Sequence, residues 1–155
     1  MTEFKYSTIG GREEGLATPR DVEKILREML ARPTWDSIRV QPNDTQKPDG
    51  IAQYPFLNLS WHPEYGYEIQ CFEHSGSNSF FLSVKQGMSS PEVYVEIGGQ
   101  TQELWPIELF VPLAVATQAA RYFLEFGGQD PGLHWTPIEK FPRRTVKPRN
   151  RGDSL

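Results

Sequence analysis

Cysteine is nearly missing from this chain: Cys71 stands alone among 155 residues. One thiol excludes an internal disulfide framework and a cysteine-based zinc site. Long apolar runs are missing as well, since nothing approaches the ~18 residues that a membrane helix needs. The opening MTEFKYSTIGG has no basic segment leading into an apolar stretch. No secretory leader is therefore expected, and the chain reads as soluble and cytoplasmic.

Basic charge is also in short supply, and its distribution is uneven. Lys and Arg number 16 against 20 Asp and Glu, a net of −4. Arg143, Arg144, Lys147, Arg149 and Arg151 all fall in residues 141–155, beside the single acid Asp153. That stretch carries +4, so residues 1–140 carry −8. The division expected is one acidic domain over 1–140 and a basic C-terminal tail over 141–155, either solvated or docked on the acidic body or a partner. An acidic body argues against direct nucleic-acid binding, because phosphates call for a basic stripe. It is compatible with a basic protein partner.

Aromatics are plentiful, with four Trp, six Tyr and nine Phe, so the core rests on rings more than on Leu and Ile. Two helices stand out. Thr18 can cap, Pro19 fits the first helical position and Asp21 completes a capping-box spacing. Val22, Ile25, Leu26, Met29 and Leu30 then form one apolar stripe, and Pro33 stops it. The second helix opens near Pro112 and carries Val115, Ala116, Ala119, Phe123 and Phe126 on one face. Gly127 sits where a left-handed cap is wanted, and Pro131 prevents resumption.

Between the helices lie short alternating runs. Ile38 and Val40 mark one strand, and the polar loop QPNDTQKPDG (41–50) follows. Leu57, Leu59 and Trp61 mark the next, then Tyr65, Tyr67, Ile69 and Cys71, then SFFLSV (79–84). Val93, Val95 and Ile97 lead into Gly98-Gly99, a two-residue hairpin turn, and the chain returns through Thr101, Glu103 and Trp105. Leu133 and Trp135 re-enter the core as a last edge strand. The fold class is α+β: an antiparallel meander of about five or six strands with two helices packed on one face.

No constellation anchors an enzyme. His62-Pro63-Glu64 has the H-x-E form of zinc nucleobase deaminases, but the second cysteine-bearing motif is missing. His74-Ser75-Gly76-Ser77 lacks the strained elbow and oxyanion donors of a nucleophilic serine, and reads as a loop. His62 and His134 read as outward-facing strand and surface residues. The glycines at 10, 11 and 15 sit in no phosphate-loop context. No metal, cofactor or catalytic residue is assigned, and an enzyme working around His62, Glu64 and His74 is a distant third reading.

The carboxylates read differently. Packing both helices on one sheet face leaves the other open, where Glu68, Gln70, Tyr94 and Glu96 are expected with Glu64. Glu73 and Glu103 fall at its margins. Any one of them is explained by a solvated sheet face. Together with the tyrosines they suit recognition of a basic protein surface.

The segment PLAVATQAARYFLEFGGQDPGLHW (112–135) resembles the C-terminal signature of immunity protein family 1 of bacterial polymorphic-toxin systems. The matching positions are Pro112, Phe123, Gly127 or Gly128, Pro131 and Trp135, to which fold maintenance is assigned. TPRDVEKILREML (18–30) also looks like the family's N-terminal helix, and the resemblance covers roughly 5–137. It implies a non-enzymatic protein that binds a cognate toxin domain, one to one, and blocks its active site or substrate surface. Toxins so paired are frequently nucleases or nucleic-acid deaminases with basic grooves, which an acidic protein can mimic a substrate to enter. The alternative is an interaction adaptor or chaperone-like domain with no toxin partner.

Overall fold

Thr18 closes the start of the first helix in the expected way. Its hydroxyl oxygen accepts from the Asp21 amide at 3.2 Å and its O–H donates to Asp21 Oδ2 at 2.7 Å. One orphaned backbone donor, the Asp21 amide, is satisfied there, and helix α1 runs Pro19–Met29. Val22, Leu26 and Met29 are wholly enclosed, each such burial being worth about 1.5–3 kcal/mol. Leu30, expected in the same stripe, is instead the C-cap and is exposed. The chain leaves the helix through tight turns before Pro33, which carries that side chain off the packed face.

The computed structural model describes residues 2–8, 13–44, 53–73, 79–83, 92–97, 101–137 and 144–146. Strands β1 (Phe4–Thr8), β2 (Glu14–Leu16), β3 (Asp36–Pro42), β4 (Phe56–His62), β5 (Gly66–Phe72) and β6 (Ser79–Leu82) belong to the larger sheet. So do the two-residue β9 (Phe110–Val111) and the edge strand β10 (Trp135–Pro137). The order is β10-β6-β5-β4-β3-β1-β2, with β9 also paired to β5. All described pairs are antiparallel, and the centre is the register Ile38↔Leu59↔Ile69.

That register fixes two faces. One presents Phe4, Ile38, Val40, Leu57, Leu59, Trp61, Tyr67, Ile69, Cys71, Leu82 and Val111 to the helices. Helix α2 (Leu113–Phe126) supplies Ala116, Ala119, Ala120, Phe123 and Leu124 to the same core. The alanines let α2 lie close on the sheet, and Phe123 meets Phe4 ring to ring at 5.0 Å. Both helices therefore occupy one face, as the sequence indicates. Phe126 does not join them: it is 63% exposed and stacks on Tyr122 at 4.5 Å. Arg121 of α2 reaches Glu23 of α1 at 2.6 Å, and Glu23 also holds Arg27, pulling its carboxyl below the ordinary value.

A single meander of five or six strands does not describe the other half. Eleven strands are present among the described residues, and three form a separate sheet in the order β11-β8-β7. These are β7 (Glu92–Ile97), β8 (Thr101–Pro106) and β11 (Arg144–Val146), so part of the basic segment is a strand paired with β8. The β7–β8 hairpin closes on Ile97↔Thr101, leaving three residues between the strands rather than two; Gly98 and Gly99 themselves lie outside the described residues. Trp105, Phe81, Leu109 and Phe110 make a second apolar cluster, with Tyr65 against it. Those rings need burial on the side away from the helices, which is why the hairpin leaves the main sheet.

The C-terminal signature has a physical centre that composition does not mark. Gly127 caps α2 at φ 74°, ψ 23°, a left-handed conformation costly for any other residue. Asp130 then organises the turn. Its carboxylate accepts from the Gly132 amide at 2.8 Å and from Gln118 Nε2 at 3.0 Å, while its carbonyl accepts from Trp135 Nε1 at 2.9 Å. Trp135 lands beside Leu82 on the sheet edge, and both Leu133 and Trp135 pack on the main core.

Candidate functional site

The face of the larger sheet turned away from the helices is where the outward-facing side chains collect. Alternation places Lys5 and Ser7 of β1, Ser37, Arg39 and Gln41 of β3, Phe56, Asn58, Ser60 and His62 of β4, and Glu68, Gln70 and Phe72 of β5 on it. Half of this outer face is covered and half is open.

The covered half lies under the second aromatic cluster. His62 meets Phe110 edge-on at 5.1 Å and Trp105 at 5.8 Å, and it is 4% exposed. The outward strand direction expected of His62 holds, but the side chain is interior, because Trp105 and Phe110 close over it. Its Nε2 has no hydrogen-bond partner among the described residues, and burial pushes its pKa down from 6.5 to about 4. Ser37 and Ser60 share a hydroxyl contact at 2.9 Å beside it. Gly66, opposite His62, has φ +117°, and a side-chain carbon there would come within 2.9 Å of the Val111 carbonyl. This close approach lets β9 and Phe110 reach over the sheet. It also breaks the alternation, so Tyr65 packs on Phe110 at 5.2 Å instead of following Tyr67 to the helices.

Glu68 shares the covered half. It was expected on the open, wet face, but only 1% of it is exposed. Alternation correctly turned it away from the helices; the layer over it is set by residues forty positions later. Its Oε1 accepts from Gln70 Nε2 at 2.7 Å, so it supports Gln70 from beneath.

The open half is polar and aromatic. Gln70, Asn58 and Arg39 run side by side across β5, β4 and β3, all half-buried. Beside them Phe72 stacks on Phe56 at 4.4 Å with the rings 20° apart, and Tyr54 meets Phe56 at 5.1 Å. Arg39 lies over the Phe56 ring at 4.4 Å from its centre, and its Nε donates to Asn58 Oδ1 at 3.2 Å. Among the described residues no carboxylate is within ion-pair distance of Arg39, and burial lowers its pKa.

The remaining expected residues are dispersed. Glu64 is exposed in the β4–β5 turn, and Glu73 follows β5 at its other end, half-buried near Gly128. Tyr94 and Glu96 are on β7 of the small sheet, not on the same sheet as Gln70. Glu103, on β8, is half-buried and accepts from Trp105 Nε1. The expected carboxylates do not gather on one face: the open half of the main sheet carries Lys5 and Arg39, and its exposed acid among the described residues is Glu14, opposite Ser7 on the edge strand β2. Arg39 and Asn58 were missed, although Arg39 is flanked by core residues Ile38 and Val40 and so is marked as outward by alternation.

Enzymatic groups do not converge. Cys71 is a core thiol pushed up to about 12 by burial and then by the charge of Glu73, the reverse of an activated nucleophile. Tyr67, also raised to about 12 by burial, donates its hydroxyl to the Leu26 carbonyl and ties α1 to the sheet. Among the described residues no three His, Cys, Asp or Glu side chains gather as metal ligands; His74 lies outside them. No described helix is long and apolar enough to cross a membrane.

A family model described as Immunity protein Imm1 matches residues 10–137, a span that leaves out β1 and runs from β2 through α2 and the Asp130 turn to β10. No curated protein and no solved structure gives a significant match.

Proposed function

The chain belongs to the Imm1 family of immunity proteins, and from that premise we propose that it binds a cognate toxin domain, one to one, and covers that domain's active site or substrate surface in the cytoplasm of the cell that makes it. The observation that carries this reading is the uncovered half of the outer sheet face. Its side chains are held by one another, as Gln70 is by Glu68 and Arg39 by Phe56 and Asn58. A surface already ordered loses little conformational entropy on binding.

The net of −8 over residues 1–140 favours a basic partner. A nuclease or nucleic-acid deaminase has such a groove, since its substrate is anionic, and long-range attraction raises the association rate. In this reading Gln70 makes direct contact, and Glu64, Glu73, Tyr94, Glu96 and Glu103 lie on or around the contact surface. No catalysis, metal, cofactor or direct nucleic-acid contact is involved.

The test starts with the tagged chain recovered from its host at low and high salt. A stoichiometric partner is expected, one whose C-terminal domain is toxic when expressed alone and harmless when expressed with this chain. The paired reversal Glu64→Lys and Glu96→Lys should then weaken protection at unchanged melting temperature. Full protection by that variant would remove the carboxylates from the interface; the absence of any toxic partner would overturn the binding reading itself.

A further inference from the structure

We infer that Arg39 anchors the toxin-contacting surface and takes a carboxylate, an Asp or Glu side chain presented by the partner. The inference rests on the toxin-binding reading above and names the chemistry of its central contact, which is opposite in sign to the overall charge.

Arg39 is a cation set in place without a counter-ion among the described residues. The Phe56 ring supports one face of the guanidinium at 4.4 Å, and Asn58 Oδ1 takes the Nε proton at 3.2 Å. Those two contacts fix the plane of the group and leave Nη1 and Nη2 without a hydrogen-bond partner among the described contacts. Phe56 is itself held by Phe72 and Tyr54. Of the carboxylates on this face, Glu68 is buried and accepts from Gln70, and Glu14 stands beyond Ser7 on the edge strand β2. Lys5, diagonal to Arg39 on the neighbouring strand, adds a second positive charge.

Such a group has lost part of its hydration without gaining an ion pair. A carboxylate that docks edge-on against Nη1 and Nη2 supplies two parallel charge-assisted bonds, geometry that lysine cannot reproduce. The supporting ring and Asn58 have already removed most of the rotamer freedom that such a bond usually costs. A polyanion such as nucleic acid would offer the same oxygens, but the −8 of the surrounding domain repels it over its whole length. One carboxylate on an otherwise basic protein escapes that repulsion. Arg, Tyr and Phe grouped at the middle of a patch are also the composition of binding hot spots.

The decisive experiment measures the affinity of the purified toxin domain, in a catalytically dead form, for the full chain and for Arg39→Ala, Arg39→Lys and Lys5→Ala. Arg39→Ala is expected to weaken binding by about a hundredfold, Arg39→Lys by at least about tenfold, and Lys5→Ala by less than about fivefold. Melting temperatures of all variants identify any that fail by misfolding. Wild-type affinity in a folded Arg39→Ala overturns the inference while leaving toxin binding intact, whereas no binding by the wild-type chain overturns the parent reading. For that case a second measurement stands alone: the Arg39 Nε–H resonance of the free protein, titrated with sodium acetate against sodium chloride at equal ionic strength. A saturable shift with acetate supports the site, and superimposable titrations overturn it. A larger response to inorganic phosphate than to acetate would overturn the carboxylate assignment in favour of a phosphate ligand.

Discussion

Strand β4 passes through both halves of the outer face, and its side chains meet different fates along seven residues. Ser60 and His62 are enclosed because Trp105, Leu109 and Phe110 lie over that end. Asn58, two residues away, keeps part of its surface and spends its side chain on Arg39. The strand, its neighbours and its register are the same; only the second layer differs. Burial on a sheet face is thus decided twice, once by alternation and once by what a distant part of the chain lays on top. The covered half is built for cohesion between two sheets, and the open half holds ordered polar and aromatic groups to which nothing in the described fold is docked.

The largest expected effect breaks the covered half. Trp105 is 2% exposed and touches His62, Phe81 and Phe110, with its indole N–H on Glu103. Trp105→Ala should cost about 3–5 kcal/mol, the range for a large aromatic removed from a core. Urea unfolding gives the loss. Hydrogen exchange should show protection falling first in β7 and β8, while β4 and β5 keep theirs. Equal loss in both sheets would mean that the small sheet is not a separable layer.

Acid should act on the same half. His62 has a folded-state pKa of about 4 against 6.5 when free, because burial between aromatic rings disfavours its charged form. The unfolded chain binds the proton more tightly, so stability is full above about pH 6.5 and falls as pH drops towards 4. The shift corresponds to about 3 kcal/mol at the acid limit. Urea midpoints between pH 7 and pH 4 should decline, and His62→Phe, which keeps the ring contacts with Trp105 and Phe110, should flatten the decline. An undiminished slope in that variant would assign the acid sensitivity to other groups, Glu68 diagonal to it being the first to examine.

What could be read in the sequence follows the same division. The Thr18-Pro19-Asp21 cap, the α1 stripe up to Met29 and the Gly127 terminus are local, and each appears in the structure, with Leu30 alone leaving the stripe. The alternation of Leu57, Leu59 and Trp61 also located the helix-facing side correctly. Strands β1 and β2 were missed, since Phe4–Thr8 pairs with β3 some thirty residues later and FKYST alternates weakly. The cover over Glu68 and His62 was missed for a similar reason: a period of two reports direction, not what lies in that direction. Asp130 shows a third case. It sits in plain view before Pro131, but its role depends on Gln118 a helix away and on the indole of Trp135. Arg39, between the core residues Ile38 and Val40, carries the same outward signal as Glu68, but a lone arginine in an acidic chain has no local feature that marks it as a contact.

The smallest expected effect on stability belongs to the open half, and it sharpens the comparison most. Arg39 gives its own fold one hydrogen bond from a charged donor to a neutral amide oxygen and one ring contact, worth about 1.5 kcal/mol and about 0.5–1 kcal/mol at a partly exposed site. Against this stands the partial desolvation of a charge with no ion pair, which works in the opposite direction. The net cost of Arg39→Ala in urea unfolding should therefore be about 1 kcal/mol or less, several times below that of Trp105→Ala. A group that contributes so little to its own fold, yet is fixed by Phe56 and Asn58, is poorly explained as a structural element. Were Arg39→Ala instead to cost as much as Trp105→Ala, the open half would be a structural surface like the covered one, and the contrast between them would disappear.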